Sequence, residues 1–133
     1  MREAGKALKQ SVFAALEGVI AVPVFDGKVE GNVQTYVLMT LTGETNTSNK
    51  SRSVTEGTLE LAIVNIRNAT VQSEVLEDVA DEIKQELDGI TISAPFNLTY
   101  LRFESAGTAA ARQADGGKFI HTKPLTYKFR ITQ

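Results

Sequence analysis

Apolar residues recur at Val71, Val75, Val79, Ile83 and Leu87, one every four positions, and Leu76 and Ala80 widen the row into a stripe. That spacing belongs to an α-helix with one apolar side, and it predicts a helix over residues 70–89. Thr70 is placed to cap the first turn. Gly89 is placed to end the last one in the left-handed conformation. The core face of this helix is predicted as Val71, Val75, Leu76, Val79, Ile83 and Leu87. Strand-like runs lie on both sides of it in the chain, and they are the natural partner for its apolar face.

A second, narrower stripe at Ala4, Ala7, Leu8, Val12, Ala15 and Leu16 predicts a helix over residues 3–17, ended by Gly18. Its alanines allow close packing but bury little area, which makes it the weaker anchor. Val19 to Phe25 is apolar but contains Pro23, so it reads as an edge segment or an extended connection. Asp26-Gly27 is a turn signal, and residues 28–32 read as loop.

Val33 to Leu41 and Val54 to Ile66 alternate as strands, the second placing Leu59, Leu61 and Ile63 on one side. The tract between them, residues 43–53, is polar and rich in turn formers, and reads as a loop or the open end of a long hairpin. After the central helix, Phe96, Leu98 and Tyr100 are assigned to one strand face and Leu101 and Phe103 to the other. Residues 104–117 read as a second long break, in which Ala109 to Ala114 has the composition for one helical turn. The last strand is the clearest: Leu125, Tyr127, Phe129 and Ile131 alternate with Thr126, Lys128, Arg130 and Thr132. The whole predicts an α+β fold, a mostly antiparallel sheet of about four to five strands packed against two helices, as one domain spanning residues 1–133.

Composition narrows the chemistry. The chain has no cysteine, which excludes disulfides and thiolate catalysis. Its opening residues are not followed by an apolar run of signal-peptide type, and no run reaches membrane-spanning length. Asn68-Ala69-Thr70 and Asn97-Leu98-Thr99 match the glycosylation sequon, and without a secretory signal both read as chance matches. The formal net charge is only −2, which does not describe a general nucleic-acid binder.

The charge is nevertheless divided. Residues 74–88 hold seven acids against Lys84 alone, whereas the last strand holds Lys123, Lys128 and Arg130 with no acid. An acidic helix face and a more basic sheet or edge are expected, a distribution suited to head-to-tail contact between copies. A solvated helix face is the plainer alternative. Lys128 and Arg130 form a candidate outward basic strand face. Lys50, Arg52, Arg112 and Lys118, in or beside the two polar breaks, are candidate interface residues, because loop tips on a rigid scaffold commonly carry function.

His121, the only histidine, is the sole candidate general base. No nucleophile or acid is indicated near it by spacing, and a surface or hydrogen-bonding role accounts for it equally. With one histidine and no cysteine, only a carboxylate-rich metal site is left, and the acids of 74–88 lack the turn of a calcium loop. Gly116-Gly117-Lys118 lacks a full phosphate-loop pattern. Phe119, Tyr127 and Phe129 beside Lys128 and Arg130 suggest a stacking platform, but alternation puts Tyr127 and Phe129 on the side away from the cations. No catalytic residue, cofactor or metal is therefore assigned.

The order of elements is similar to that of a known family. A short N-terminal helix leads to Ala21-Val22-Pro23-Val24-Phe25, then Tyr36-Val37-Leu38. A polar break precedes Gly57-Thr58-Leu59-Glu60-Leu61-Ala62-Ile63. The acidic amphipathic helix follows, then Leu98-Thr99-Tyr100-Leu101-Arg102-Phe103-Glu104, a second break and Leu125-Thr126-Tyr127-Lys128-Phe129-Arg130-Ile131. Over nearly its whole length the chain resembles the small tail-terminator or tail-completion proteins of tailed bacteriophages and prophages, through element order and lengths rather than an invariant motif. The resemblance implies a non-enzymatic structural subunit without a cofactor, closing into a ring, often a hexamer, at the head-proximal end of the tail. Its implied partners are further copies of itself, the tail-tube protein and the head-connector protein. DNA is implied only as it passes through the channel, and no membrane is involved. The implied location is the virion tail, assembled in the cytoplasm of the bacterial host. Residues 43–53 and 105–117 would then be interface loops. A small nucleic-acid or ligand binding module is the alternative, and a small enzyme using His121 a further one.

Overall fold

The computed structural model describes residues 2–20, 22–28, 34–48, 53–67, 75–92, 94, 96–107, 110–113 and 117–133. Helix α1 spans Arg2–Leu16, followed by β1 (Val24–Asp26), β2 (Thr35–Ser48) and β3 (Ser53–Arg67). Helix α2 spans Val75–Leu87, and β4 (Asn97–Ala106), β5 (Ala110–Gln113) and β6 (Phe119–Thr132) complete the order. The strands form one sheet in the order β1-β2-β3-β6-β4, with β5 also paired to β6. Among the described residues only β1 runs parallel to its neighbour. The α+β fold, with two helices on a mostly antiparallel sheet, is the architecture the periodicities predict.

Both helices lie on the same side of the sheet, and the core fills the layer between. From α1 come Leu8, Val12 and Leu16, and from α2 come Leu76, Val79, Ile83 and Leu87, all buried. The sheet answers with Leu59, Leu61 and Ile63 from β3 and Leu125, Phe129 and Ile131 from β6. Each fully buried side chain of this kind contributes about 1.5–3 kcal/mol, so the stripe of α2 is a principal anchor. Val71 and Thr70 lie outside the described residues. Gly89 follows α2 with φ 77°, the left-handed conformation a helix end requires.

The polar tract 43–53 is largely strand. β2 continues to Ser48 and β3 begins at Ser53, with Thr47↔Val54 still in register. Residues 49–52 lie outside the described residues. Of the two alternatives, loop or open end of a long hairpin, the hairpin holds, because backbone pairing with β3 proceeds without apolar side chains on β2. The long arm carries a bulge between Thr42 and Thr45, where Gly43, at φ 61°, and Glu44 stand opposite the single residue Gly57. A left-handed glycine opening a two-against-one step is the geometry that bends and twists a hairpin.

Among the described residues, the second predicted break is also mostly strand. β4 runs to Ala106, and Ala110 to Gln113 form β5 rather than a helical turn. β4 pairs with β6 from Leu125 onward and β5 pairs with Phe119 to Thr122, so the two follow one another along the same side of β6. Pro124 sits at the junction, and its carbonyl accepts from the Gly107 N–H at 2.8 Å. Its N-side therefore also points toward that junction, and the missing N–H costs no bond to β3. A Cβ on Gly107 would lie 2.5 Å from Pro124 Cγ, so the close approach requires glycine.

The faces of β4 differ from the simple alternation. A register shift between Leu98 and Tyr100 leaves Leu98, Leu101 and Phe103 opposite Ile131, Phe129 and Tyr127 on the helix side. Tyr100, opposite Arg130, turns to the other side. An inserted residue reverses the facing of everything after it, because side chains alternate with a period of two.

Candidate assembly surfaces

Three regions hold the side chains with chemical potential. The first is the exposed side of α2, where Glu77, Asp78, Asp81, Glu86 and neighbouring Asp88 are all exposed. Glu77 reaches back to Lys123 Nζ at 3.2 Å, and that ammonium also donates to the Gly107 carbonyl at 3.4 Å. This largely buried lysine ties the start of α2 to the β4–β5 junction.

The second region is the sheet face opposite the helices. Register sets Glu56, Arg130 and Tyr100 abreast across β3, β6 and β4, and Thr58, Lys128 and Arg102 in the next row. Tyr100 donates to Glu56 Oε2 at 3.4 Å, Lys128 Nζ donates to Thr58 Oγ1 at 3.0 Å, and the Arg102 guanidinium lies 4.4 Å from the Tyr100 ring centroid. Arg130 is half-buried, and its Nε has no hydrogen-bond partner among the described residues. A shallow groove of about 400 Å³ crosses this face, and Glu104 also lines it. The face is mixed in charge rather than basic, because Glu56, Glu60 and Glu104 accompany the three cations. Tyr127 and Phe129 are buried on the helix side, away from the cations, but Tyr100 takes the aromatic place beside them.

The third region is a cleft of about 420 Å³ between the C-terminal half of α2 and β4, lined by Asp81, Lys84, Leu87, Leu101, Phe103 and Tyr127 among others. Phe103 is 39% exposed and meets Tyr127 edge to face at 5.5 Å, while Lys84 Nζ lies 4.8 Å from the Phe103 ring centroid. The Tyr127 hydroxyl is buried without a hydrogen-bond partner among the described residues. Burial raises its pKa from 10.0 to about 12, since the phenolate would have to leave water.

Of the residues singled out in the sequence, Lys50 and Arg52 lie outside the described residues, Arg112 lies in β5, and Lys118 is exposed just ahead of β6. Lys128 and Arg130 share the open sheet face. His121 is 1% exposed and stands opposite Asn65 in register, so it is not a surface residue. It lines neither the open-face groove nor the cleft. Among the described residues no three His, Asp or Glu side chains gather in a metal-binding arrangement, and no helix is long and apolar enough to cross a membrane. The cleft and the Tyr100 row escaped the sequence reading because both depend on the β4 bulge. The three-residue step from Leu98 to Leu101 was the available sign of it.

No protein-family profile and no curated protein matches the chain. Solved structures do. The fold superposes on a chain from the virion of a native gene transfer agent particle with TM-score 0.70 at 17% identity, covering 100% of both chains. A second solved chain superposes with TM-score 0.53 at 17% identity, over 96% of this chain and 92% of its own. At these identities what is shared is the fold, one found in a virion-associated protein.

Proposed function

We propose that the chain is a structural, non-enzymatic subunit of a phage-type tail, a single domain that forms a ring, caps the tail tube and joins it to the head connector. The observation that carries this reading is the end-to-end superposition on a virion chain, with no part of either chain left over. The element order resembling tail-terminator and tail-completion proteins points the same way. A lesser support is that the exposed acids of α2 and the cations Arg102, Lys128 and Arg130 of the mixed sheet face lie on opposite sides of the sheet. Within one copy such surfaces cannot meet, whereas repeated copies can bring them together. A hexamer assembled in the host cytoplasm, incorporated in the virion tail, follows from the same reading, with no cofactor.

Deletion of the gene, followed by electron microscopy of the particles formed, tests the role. A terminator's loss gives tubes of unregulated length lacking heads, and restoring the gene restores uniform tails. Tails of normal length joined to heads would refute capping. Absence of the chain from the purified particles by mass spectrometry would refute a structural role altogether.

A second reading is favoured by one specific observation, the placement of Tyr100 among Arg102, Lys128 and Arg130 on an open face. A ring beside cations is the arrangement of single-stranded nucleic-acid platforms. Anisotropy of a labelled oligonucleotide, with its salt dependence, checks it. A salt-sensitive affinity lost on Tyr100→Ala supports this reading, and no binding at low salt rejects it.

A further inference from the structure

The exposed large apolar side chains among the described residues are Phe13, Val19 and Phe103. Their distribution is uneven. Phe103 lies on β4, at one edge of the sheet. Phe13 lies one helical turn beyond Lys9, and Lys9 Nζ pairs with Asp26 of β1 at 3.2 Å. Residues four apart share a helix flank, so Phe13 faces the β1 side, the opposite edge. Glu17, a turn further on, accepts from the Val24 N–H of β1 at 3.3 Å, which fixes the same flank. Val19 follows directly after that helix.

We propose that these opposite edges are the two halves of one contact between copies of this chain: the α2–β4 cleft of one copy receives the α1–β1 flank of the next. This rests on the ring reading and names its subunit surface. Three observations commit the site to a second copy. The apolar groups are split between opposite edges, as a head-to-tail contact requires and a two-fold contact does not. The cleft already has an apolar floor of Leu87, Leu101 and the exposed part of Phe103, beneath a rim carrying Asp81 and Asp88. On the other side, Lys6 and Lys28 are exposed close to the same flank, giving cations to meet the carboxylates.

Direct strand-to-strand joining is the competing geometry, and the edges oppose it. β4 carries register shifts at Leu98/Tyr100 and Phe103/Ser105, and β2 carries one at Thr42/Thr45. Bulges at edges interrupt the row of groups that another strand would pair with. The contact is therefore made by side chains flanking the sheet rather than by extending it.

The absence of native cysteine makes the test direct. Three full-length variants are compared: Phe13→Cys, Phe103→Cys and the double variant, each treated with a flexible bismaleimide, alongside native mass spectrometry. Head-to-tail contact gives a ladder of cross-linked oligomers from the double variant, a cross-linked dimer on mixing the two single variants, and none from either alone. Dimers from Phe103→Cys alone would indicate a two-fold contact and overturn the proposal. A closed oligomer by mass spectrometry with no ladder would overturn this contact while leaving the ring. A monomer with no ladder at any concentration would overturn the contact and count against the ring as well. In the cysteine-free chain, Phe103→Glu weakens self-association about tenfold or more, with an unchanged circular-dichroism spectrum and a melting point lowered only by the lost contacts with Tyr127 and Lys84. Unaltered self-association would reject the cleft.

Discussion

Replacing Gly57 by alanine tests whether the bend of the β2–β3 arm is built into the core. A Cβ at this position would lie 2.9 Å from Phe129 Cζ, 3.0 Å from Cε2 and 3.1 Å from the Glu44 Cα. One neighbour is a ring that is 1% exposed in the centre of the sheet. The other is backbone inside the bulge. Neither can move without disturbing the packing around it, and overpacking of this kind costs about 1–3 kcal/mol. The opposing effect is the reduced freedom of the unfolded chain, which favours alanine by about 0.4–1 kcal/mol where the site tolerates it. The net expectation is a loss of about 1–2 kcal/mol, lowering the melting temperature by roughly 3–10 °C for a domain of this size. Urea unfolding measures it, with an unchanged slope if the denatured state is unaffected. The two effects have opposite signs, so an unchanged or raised midpoint would refute the argument. In a Phe129→Leu background the alanine should cost less, by about 0.5 kcal/mol or more, because the ring responsible has gone.

Ile83→Ala, in the fully buried row of α2, should destabilise the chain by about 2–5 kcal/mol in the same unfolding assay. Thr35→Val removes the oxygen that accepts from Asn65 Nδ2 at 2.6 Å, leaving a buried amide unpaired at a cost of about 1–3 kcal/mol by urea titration. Tyr127→Phe removes a buried hydroxyl without a hydrogen-bond partner among the described residues, so its stability at neutral pH should be equal or higher in calorimetry. The wild-type phenol keeps its proton in the folded state to about pH 12, against 10.0 as the ordinary value. Tyr127's contribution is therefore intact below pH 10 and is lost as pH rises toward 12, since the unfolded chain ionises first. That part of the alkaline decline should be missing in Tyr127→Phe when melting points are compared across this range.

The elements that could be read from the sequence are those whose side chains report their own burial. α2 shows its helical stripe because Leu76, Val79, Ile83 and Leu87 all enter one core, and β6 shows strict alternation because one face of it is covered. At 43–53 the hairpin alternative holds and the loop alternative does not, while the strand at 110–113 reads as a break, and both are obscured for a common reason. Their order comes from backbone pairing to β3 and β6, which leaves no apolar rhythm in the side chains. His121 was likewise illegible, since its burial is produced by neighbours on other strands and not by its own sequence surroundings.

The facing of β4 has the largest consequence, because a single shift of phase decides which surfaces can assemble. With simple alternation, Tyr100 would join Leu98 beneath the helices, and Phe103 would stand on the opposite face with no cleft behind it. The register step at Leu98/Tyr100 instead sends Tyr100 out beside Arg102 and brings Phe103 against Tyr127. The same irregularity interrupts the edge that another strand would extend. It therefore disfavours joining copies by their backbones while creating the half-exposed aromatic cleft through which side chains join them. A variant with Thr99 deleted separates these effects, because Tyr100 can stay opposite Arg130 and Phe103 opposite Tyr127 while the first of the two interruptions in β4 is removed. If it folds, it should keep the cleft and the defined oligomer but aggregate more readily than the wild type, as judged by light scattering. A folded deletion variant no more prone to aggregation than the wild type would show that this bulge does not protect the edge.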